Sequence, residues 1–153
     1  MSITLPQVRA GASEPSTSPQ RTKRIETVER LTRILLVEDE PLTAEVFAQA
    51  LTRDGHQVEV ARDGLQALRR LRDRVPSVII LDMNLPTLPG TEVVRRLRAA
   101  GHRQVPILVV SGSCPSLAQL GRDELAPGKW LEKPVKPRDL VREVRRLLPE
   151  TMA

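Results

Sequence analysis

Four short stretches of the chain hold the side chains best suited to chemistry: Glu38-Asp39-Glu40, Asp82, Ser111-Gly112 and Lys133-Pro134. If they met, Glu38, Asp39 and Asp82 would crowd three carboxylates together, and repulsion would push at least one pKa up strongly. A divalent, oxygen-preferring cation relieves that repulsion. Mg²⁺ takes oxygen ligands at ~2.0–2.1 Å, usually one or two carboxylates together with waters and phosphate oxygens. Lys133 adds a positive point charge and Ser111 a hydroxyl donor. Such a set suits a bound metal and a phosphoryl group, since phosphoryl transfer asks mainly for positioning and neutralised oxygens. An aspartate is then the natural nucleophile and forms an acyl phosphate. Taken singly, each stretch has a plainer reading. An acidic pair after a strand is often a helix N-cap, a strand-end aspartate often opens a turn, and a Lys-Pro pair says little. Their shared placement decides the matter.

That placement follows from the elements around them. Ile34-Leu35-Leu36-Val37, Val78-Ile79-Ile80-Leu81 and Ile107-Leu108-Val109-Val110 are short continuous apolar runs, the pattern of strands buried on both faces. Val58-Glu59-Val60 alternates, as expected nearer an edge, and Trp130-Leu131 lies in a last short strand. Helices fall between. Pro41 opens one, with Gly55 as its C-terminal cap. Asp63 and Gln66 form an N-cap pattern before Leu65, Leu68 and Leu71. Thr91–Ala100 carries Val93, Val94 and Leu97 on one face and closes at Gly101. A weaker helix spans Ser116–Leu125, with Gly121 inside it. Arg138–Leu148 is the last. Five strands alternating with five helices make an α/β fold, a doubly wound parallel sheet with right-handed crossovers. In such sheets ligands bind outside the carboxyl ends of the strands, where all four stretches fall.

Composition narrows the classes further. The 153 residues allow one domain with a tail, large enough to bury a core without disulfides. Aromatic side chains are 1% of the chain, Phe47 and Trp130, which leaves no stacking platform for single-stranded nucleic acid. The single cysteine, Cys114, excludes an internal disulfide and reads as a packing residue; His56 and His102 are too isolated to form a metal cluster. No apolar run reaches membrane-span length and no signal-peptide core is present, so the expected location is the cytoplasm, with no membrane partner. The net charge of +5 is spread over several helical stretches, as in Arg69-Arg70, Arg95-Arg96 and Arg145-Arg146, and reads as solvated helix faces. Residues 1–32 are polar and proline-bearing and are expected to be a disordered tail, with up to a turn of helix at Arg24–Leu31. The domain is expected over residues 33–149, followed by a short tail, 150–153.

With these motifs in view, the chain resembles the receiver domain of two-component response regulators over about residues 33–149. The resemblance rests on Leu36-Val37-Glu38-Asp39-Glu40-Pro41, Leu81-Asp82-Met83-Asn84-Leu85-Pro86 with Gly90, Val110-Ser111-Gly112, and Lys133-Pro134. It implies the flavodoxin-like strand order 2-1-3-4-5, for which a receiver is itself a standard example. It implies Asp82 as phosphoacceptor, Asp39 as a direct Mg²⁺ ligand, Glu38 as a ligand directly or through water, and Asn84 as donor of a backbone carbonyl to the metal. Ser111 would bind a phosphoryl oxygen after transfer, Gly112 would leave room for access, and Lys133 would pair with the phosphoryl group. Lys133-Pro134 resembles the family's usual cis bond. Trp130 matches an aromatic switch position that more often holds tyrosine or phenylalanine; it reads equally as a half-buried strand residue.

The expected function is therefore that of a stand-alone phosphoacceptor in a phosphorelay. A histidine kinase or histidine phosphotransfer protein would donate to Asp82 with Mg²⁺ as the only cofactor, switching a face that engages an unidentified downstream protein. The chain would catalyse its own phosphorylation and slow dephosphorylation, without being an enzyme on a separate substrate. The alternative is a phosphorylation-independent pseudo-receiver adaptor. A haloacid-dehalogenase-like phosphatase would want an aspartate where Asn84 stands, and a longer core. No DNA-binding domain is expected, because little follows the last helix.

Overall fold

The computed structural model describes residues 32–112 and 120–148. Its elements are β1 (Arg33–Val37), α1 (Pro41–Arg53), β2 (Gln57–Ala61), α2 (Gly64–Asp73), β3 (Val78–Asp82), α3 (Gly90–Ala99), β4 (Ile107–Ser111), α4 (Arg122–Leu125), β5 (Gly128–Glu132) and α5 (Pro137–Leu147). The five strands form one parallel sheet in the order β2-β1-β3-β4-β5. The fold class and strand order are those expected. Residues 1–31 of the tail expected at 1–32, the tail expected at 150–153, the turn of helix at Arg24–Leu31, Cys114 and the first part of the helix expected at Ser116–Leu125 lie outside the described residues. The compact unit begins at Thr32, one residue before the expected boundary. Thr32 is buried, and its carbonyl accepts the backbone N–H of Gln57 at 2.8 Å.

The three continuous apolar runs occupy the middle of the sheet, where both faces are covered. Alternate residues of each strand feed two cores. Leu35, Ile79, Leu81, Ile107 and Val109 pack with Leu71, Val93 and Leu97 on the side of α2 and α3. Ile34, Leu36, Ile80, Leu108 and Val110 pack with Phe47, Leu51, Leu140 and Val144 on the side of α1 and α5. A strand whose every residue meets a core shows no alternation, which explains the sequence pattern. β2 and β5 are the edges and are correspondingly half-exposed.

Helix ends follow local chemistry. Glu40 caps α1, its carboxylate accepting the Leu42 N–H at 3.1 Å, with Pro41 in the first turn. Asp63 Oδ1 accepts the Gln66 N–H at 2.8 Å, and Gln66 Oε1 accepts the Arg62 N–H at 2.9 Å. Gly55 and Gly101 follow α1 and α3 at φ +94° and +97°, a region closed to most side chains. No helix among the described residues is long and apolar enough to cross a membrane.

Two polar ties hold helices that apolar packing alone would leave free to slide. The first is Arg98 of α3, buried with no carboxylate partner among the described residues. Its Nε donates to the carbonyl of Glu124, Nη1 to those of His102 and Val105, and Nη2 to those of Leu125 and Pro127, over 2.8–3.3 Å. All five donors are used. They fasten α3 to the end of α4 and the entry to β5, where Ala126–Pro127 is cis. The second tie joins α1 to α5. Arg145 donates to both oxygens of Asp54, and Asp54 Oδ2 also meets His56 Nε2 at 3.1 Å. His56 Nδ1 is in turn bonded to the Thr32 hydroxyl. The hydrogen bond from Arg145 is the main reason the Asp54 carboxyl is held below its usual range.

Replacing Arg98 by methionine should lower the unfolding free energy by about 2–4 kcal/mol, because several buried carbonyls lose their donors at once. Chemical denaturation decides it; a loss below ~0.5 kcal/mol, as for a surface arginine, would show the ties to be idle. The Asp54 tie has a pH signature. A carboxyl with a depressed folded-state pKa contributes stability above its unfolded pKa of ~3.9, and that contribution is lost as pH falls through the folded value. Wild type should therefore melt above Asp54→Asn at neutral pH, and the gap should close below about pH 4.

Candidate functional site

Parallel strands deliver their carboxyl ends to one rim, and the register carries this through. Val37 pairs with Leu81, Asp82 with Val110, and Ser111 with Glu132. Glu38 and Lys133 each follow the last residue of a strand. Their backbones stay tied to it: the Glu38 N–H donates to the Ala61 carbonyl at 3.0 Å, and the Lys133 N–H to the Ser111 carbonyl at 2.8 Å.

At the centre stands Asp82, only 4% exposed. Lys133 Nζ lies 3.0 Å from its Oδ2, and the backbone N–H of Asn84 donates to its Oδ1 at 3.0 Å. Both oxygens are therefore engaged. Glu38, 2% exposed, lies 3.8 Å from the same ammonium and accepts the Glu40 N–H at 3.1 Å. Asp39 is exposed, yet one carboxylate oxygen from each of Glu38, Asp39 and Asp82 falls within a 4.8 Å cluster. Glu38 and Asp82 face the same ammonium.

The charge balance is uneven, with three carboxylates against one lysine. Burial above all, then the charge of Asp82 and a hydrogen-bond contact with it, pushes the Glu38 carboxyl up to about 7, against the pull of the Glu40 N–H and Lys133. Burial opposes the charge on Lys133. The hydrogen bond to Asp82 and the charges of Asp82, Glu38 and Asp39 outweigh it, raising its pKa above the usual lysine value. The donor set is all oxygen and carries surplus negative charge. It fits a hard divalent cation such as Mg²⁺ and offers nothing to a soft one.

The structure thus brings together Glu38, Asp39, Asp82, Asn84 and Lys133. Ser111 closes β4 on the same rim and is fully buried. A Cβ at Gly112 would meet nothing within 4 Å among the described residues. Lys133–Pro134 is cis, as expected. Trp130 lies on β5 opposite Val109, half-buried and three residues short of Lys133.

Residues 34–145 match the family model described as the response regulator receiver domain. The chain belongs to that family. It is the receiver domain of a response regulator in two-component signalling. It is 36% identical over 115 residues to the transcriptional regulatory protein CreB of Escherichia coli, covering 75% of this chain and 50% of CreB. It is 33% identical over 119 residues to the response regulator MprA of Mycobacterium bovis, covering 78% of this chain and 51% of MprA. The chain thus spans about half the length of these curated relatives. Among solved structures, the chemotaxis response regulator CheY4 of Vibrio cholerae superposes with a TM-score of 0.70 at 32% identity, covering 77% of this chain and 99% of that one.

Several residues of this receiver that shape the site were not legible beforehand. Glu40, read as part of an acidic triplet, caps α1 and is spent on that. Thr87 holds φ 65°, a strained value for a β-branched residue, in the loop between Asn84 and Gly90. The place of Gly90 in the motif has a steric reason. A Cβ there would lie 2.8 Å from Met83 Cα and 2.9 Å from the Asp82 carbonyl oxygen. Helix α3 starts against the backbone that carries Asp82, so only a residue without a side chain fits. Gly90→Ala should cost about 1–3 kcal/mol through overpacking against rigid backbone. Equilibrium unfolding would show it, and an unchanged midpoint would mean that the loop yields freely.

Proposed function

We propose that this receiver accepts a phosphoryl group on Asp82 from a phosphohistidine of a histidine kinase or histidine phosphotransfer protein. The observation that carries the reading is the Asp82 carboxylate, buried between the Lys133 ammonium and the Asn84 N–H within an acidic trio. The Asn84 N–H fixes the plane of the carboxylate through Oδ1. Oδ2 is then the attacking oxygen. It forms the new P–O bond as the P–N bond of the donor breaks, and the imidazole leaves with the electron pair of that bond. The Lys133 ammonium, already beside Oδ2, passes to an oxygen of the arriving group and offsets its charge. Ser111 offers a hydroxyl to another of those oxygens.

Asp39, Glu38 and Asp82, with the Asn84 carbonyl, are the residues that would hold Mg²⁺, whose chemistry there is to neutralise the carboxylates and the phosphoryl oxygens. The receiver is a signalling acceptor that promotes its own phosphorylation and slow dephosphorylation, with no turnover of a separate substrate. Once Lys133 and Ser111 are drawn to the new charge, β5 and the half-buried Trp130 beside them shift between two populated arrangements. That is how a local charge reaches a protein-binding face.

Incubation with acetyl phosphate and Mg²⁺, followed by intact mass measurement, should add one phosphoryl group to wild type and none to Asp82→Asn. Ser111→Ala should slow the gain on the order of a hundredfold, the usual loss when one donor aimed at developing charge is removed. Trp130 is the sole tryptophan, so its emission should change in step with the adduct. A folded wild type that gains no mass would instead support the phosphorylation-independent adaptor.

A further inference from the structure

Away from the acidic rim, α1 and α5 run side by side and leave an open cleft of about 600 Å³ between them. Five arginines line it: Arg53 from α1, and Arg138, Arg142, Arg145 and Arg146 from α5. On α5, Arg138, Arg142 and Arg145 recur at i, i+4 and i+7, a stripe rising ~10 Å along one helix face. The sole acidic side chain in the lining is Asp54, and Arg145 already holds it. Between the guanidinium groups the floor is apolar, formed by half-buried Ala50 and Val141.

These cations are not spent on the fold alike. Arg142 pairs with Asp139 at 2.7 Å and Arg146 with Glu143 at 3.0 Å, both within α5 and with both guanidinium groups more than half exposed. The Arg142–Asp139 pair is open to solvent on both sides, and such pairs are weak and exchange readily for an external carboxylate; the partner of Arg146, Glu143, is buried. Arg53 and Arg138 have no ion pair among the described residues. The cleft is therefore a row of guanidinium forks, partly unpaired, beside an apolar trough.

We infer that the α1–α5 cleft is a docking surface for an acidic, amphipathic helical segment of a protein partner. Guanidinium forks match carboxylates in paired geometry. Carboxylates at helical spacing on the partner would meet the i, i+4, i+7 arginines in step, while an apolar residue between them would sit over Ala50 and Val141. Duplex nucleic acid fits less well. Asp54 sits within the positive strip that a phosphate backbone would track, and a sugar-phosphate chain has nothing to lay on an apolar floor. This surface lies outside the phosphoryl-transfer chemistry proposed above and does not depend on it.

The test uses three probes on the ¹⁵N-labelled full chain: a short helical peptide with glutamates at i, i+4 and i+7 beside a leucine stripe, a scrambled peptide of the same composition, and a DNA duplex. The amphipathic peptide should shift amide resonances along residues 50–54 and 138–146. Arg53→Glu/Arg138→Glu should weaken its binding at least tenfold, and a lysine version of the peptide should bind that variant better than wild type. Thermal melting and the acetyl phosphate reaction of the variant should match wild type, which separates loss of the cleft from loss of the fold or of the acceptor site. Should the charge reversal unfold the chain, Arg53→Gln/Arg138→Gln should still weaken binding severalfold. Equal binding of the scrambled peptide, undiminished binding to either double variant, or tighter binding of the duplex in the same cleft would overturn the inference.

Discussion

Asp82 is a carboxylate that the sheet has taken out of water, and its charge must be answered from within the protein. Leaving such a charge unpaired would cost several kcal/mol. Lys133 Nζ at 3.0 Å and the Asn84 N–H at 3.0 Å answer it. This requirement reaches through the architecture. The lysine must come from the end of β5, two strands from β3, so β4 must lie between them with its own end at the same rim. Parallel pairing meets this condition without special turns, because every strand ends on the same side. Glu38 and Asp39 then add more negative charge than one lysine can balance. The rim is thereby left with surplus negative charge, which favours an added cation.

Around that rim the molecule divides into a firm part and a tied part. β1, β3 and β4 are buried on both faces, and their side chains make the two cores. They hold Glu38 and Asp82 as fixed points. β5 is an edge strand with little burial, and the segment leading into it is held by the carbonyls that Arg98 gathers and by the ion pair of Lys129 with the buried Glu143 at 2.7 Å. Asp82 therefore ends a strand buried on both faces, and Lys133 follows an edge strand.

The surface carries its charge in distinct zones with different physical characters. The acidic rim is buried, crowded and short of positive charge. The arginine-lined cleft between α1 and α5 is open, exposed and short of negative charge. The net charge of +5 describes neither. Arginines that look alike along the chain serve different ends: Arg98 is structural, Arg145 bridges two helices, and Arg53 and Arg138 face solvent.

The apolar runs, the proline and glycine punctuation and the polar residue after each run were enough to infer the strands, the helices and the common rim. These signals are local or periodic, and a parallel sheet converts position along each strand directly into position in space. Strand order came from resemblance to receiver domains, since periodicity does not say which strands are neighbours. Tertiary packing decided the rest. Arg98 finds carbonyls scattered from residue 102 to 127, and Asp54 finds an arginine 91 residues away. Gly90 is barred from carrying a side chain by the backbone of Asp82. Such contacts depend on the angles and distances at which helices settle on the sheet, and no pattern within any one segment encodes them.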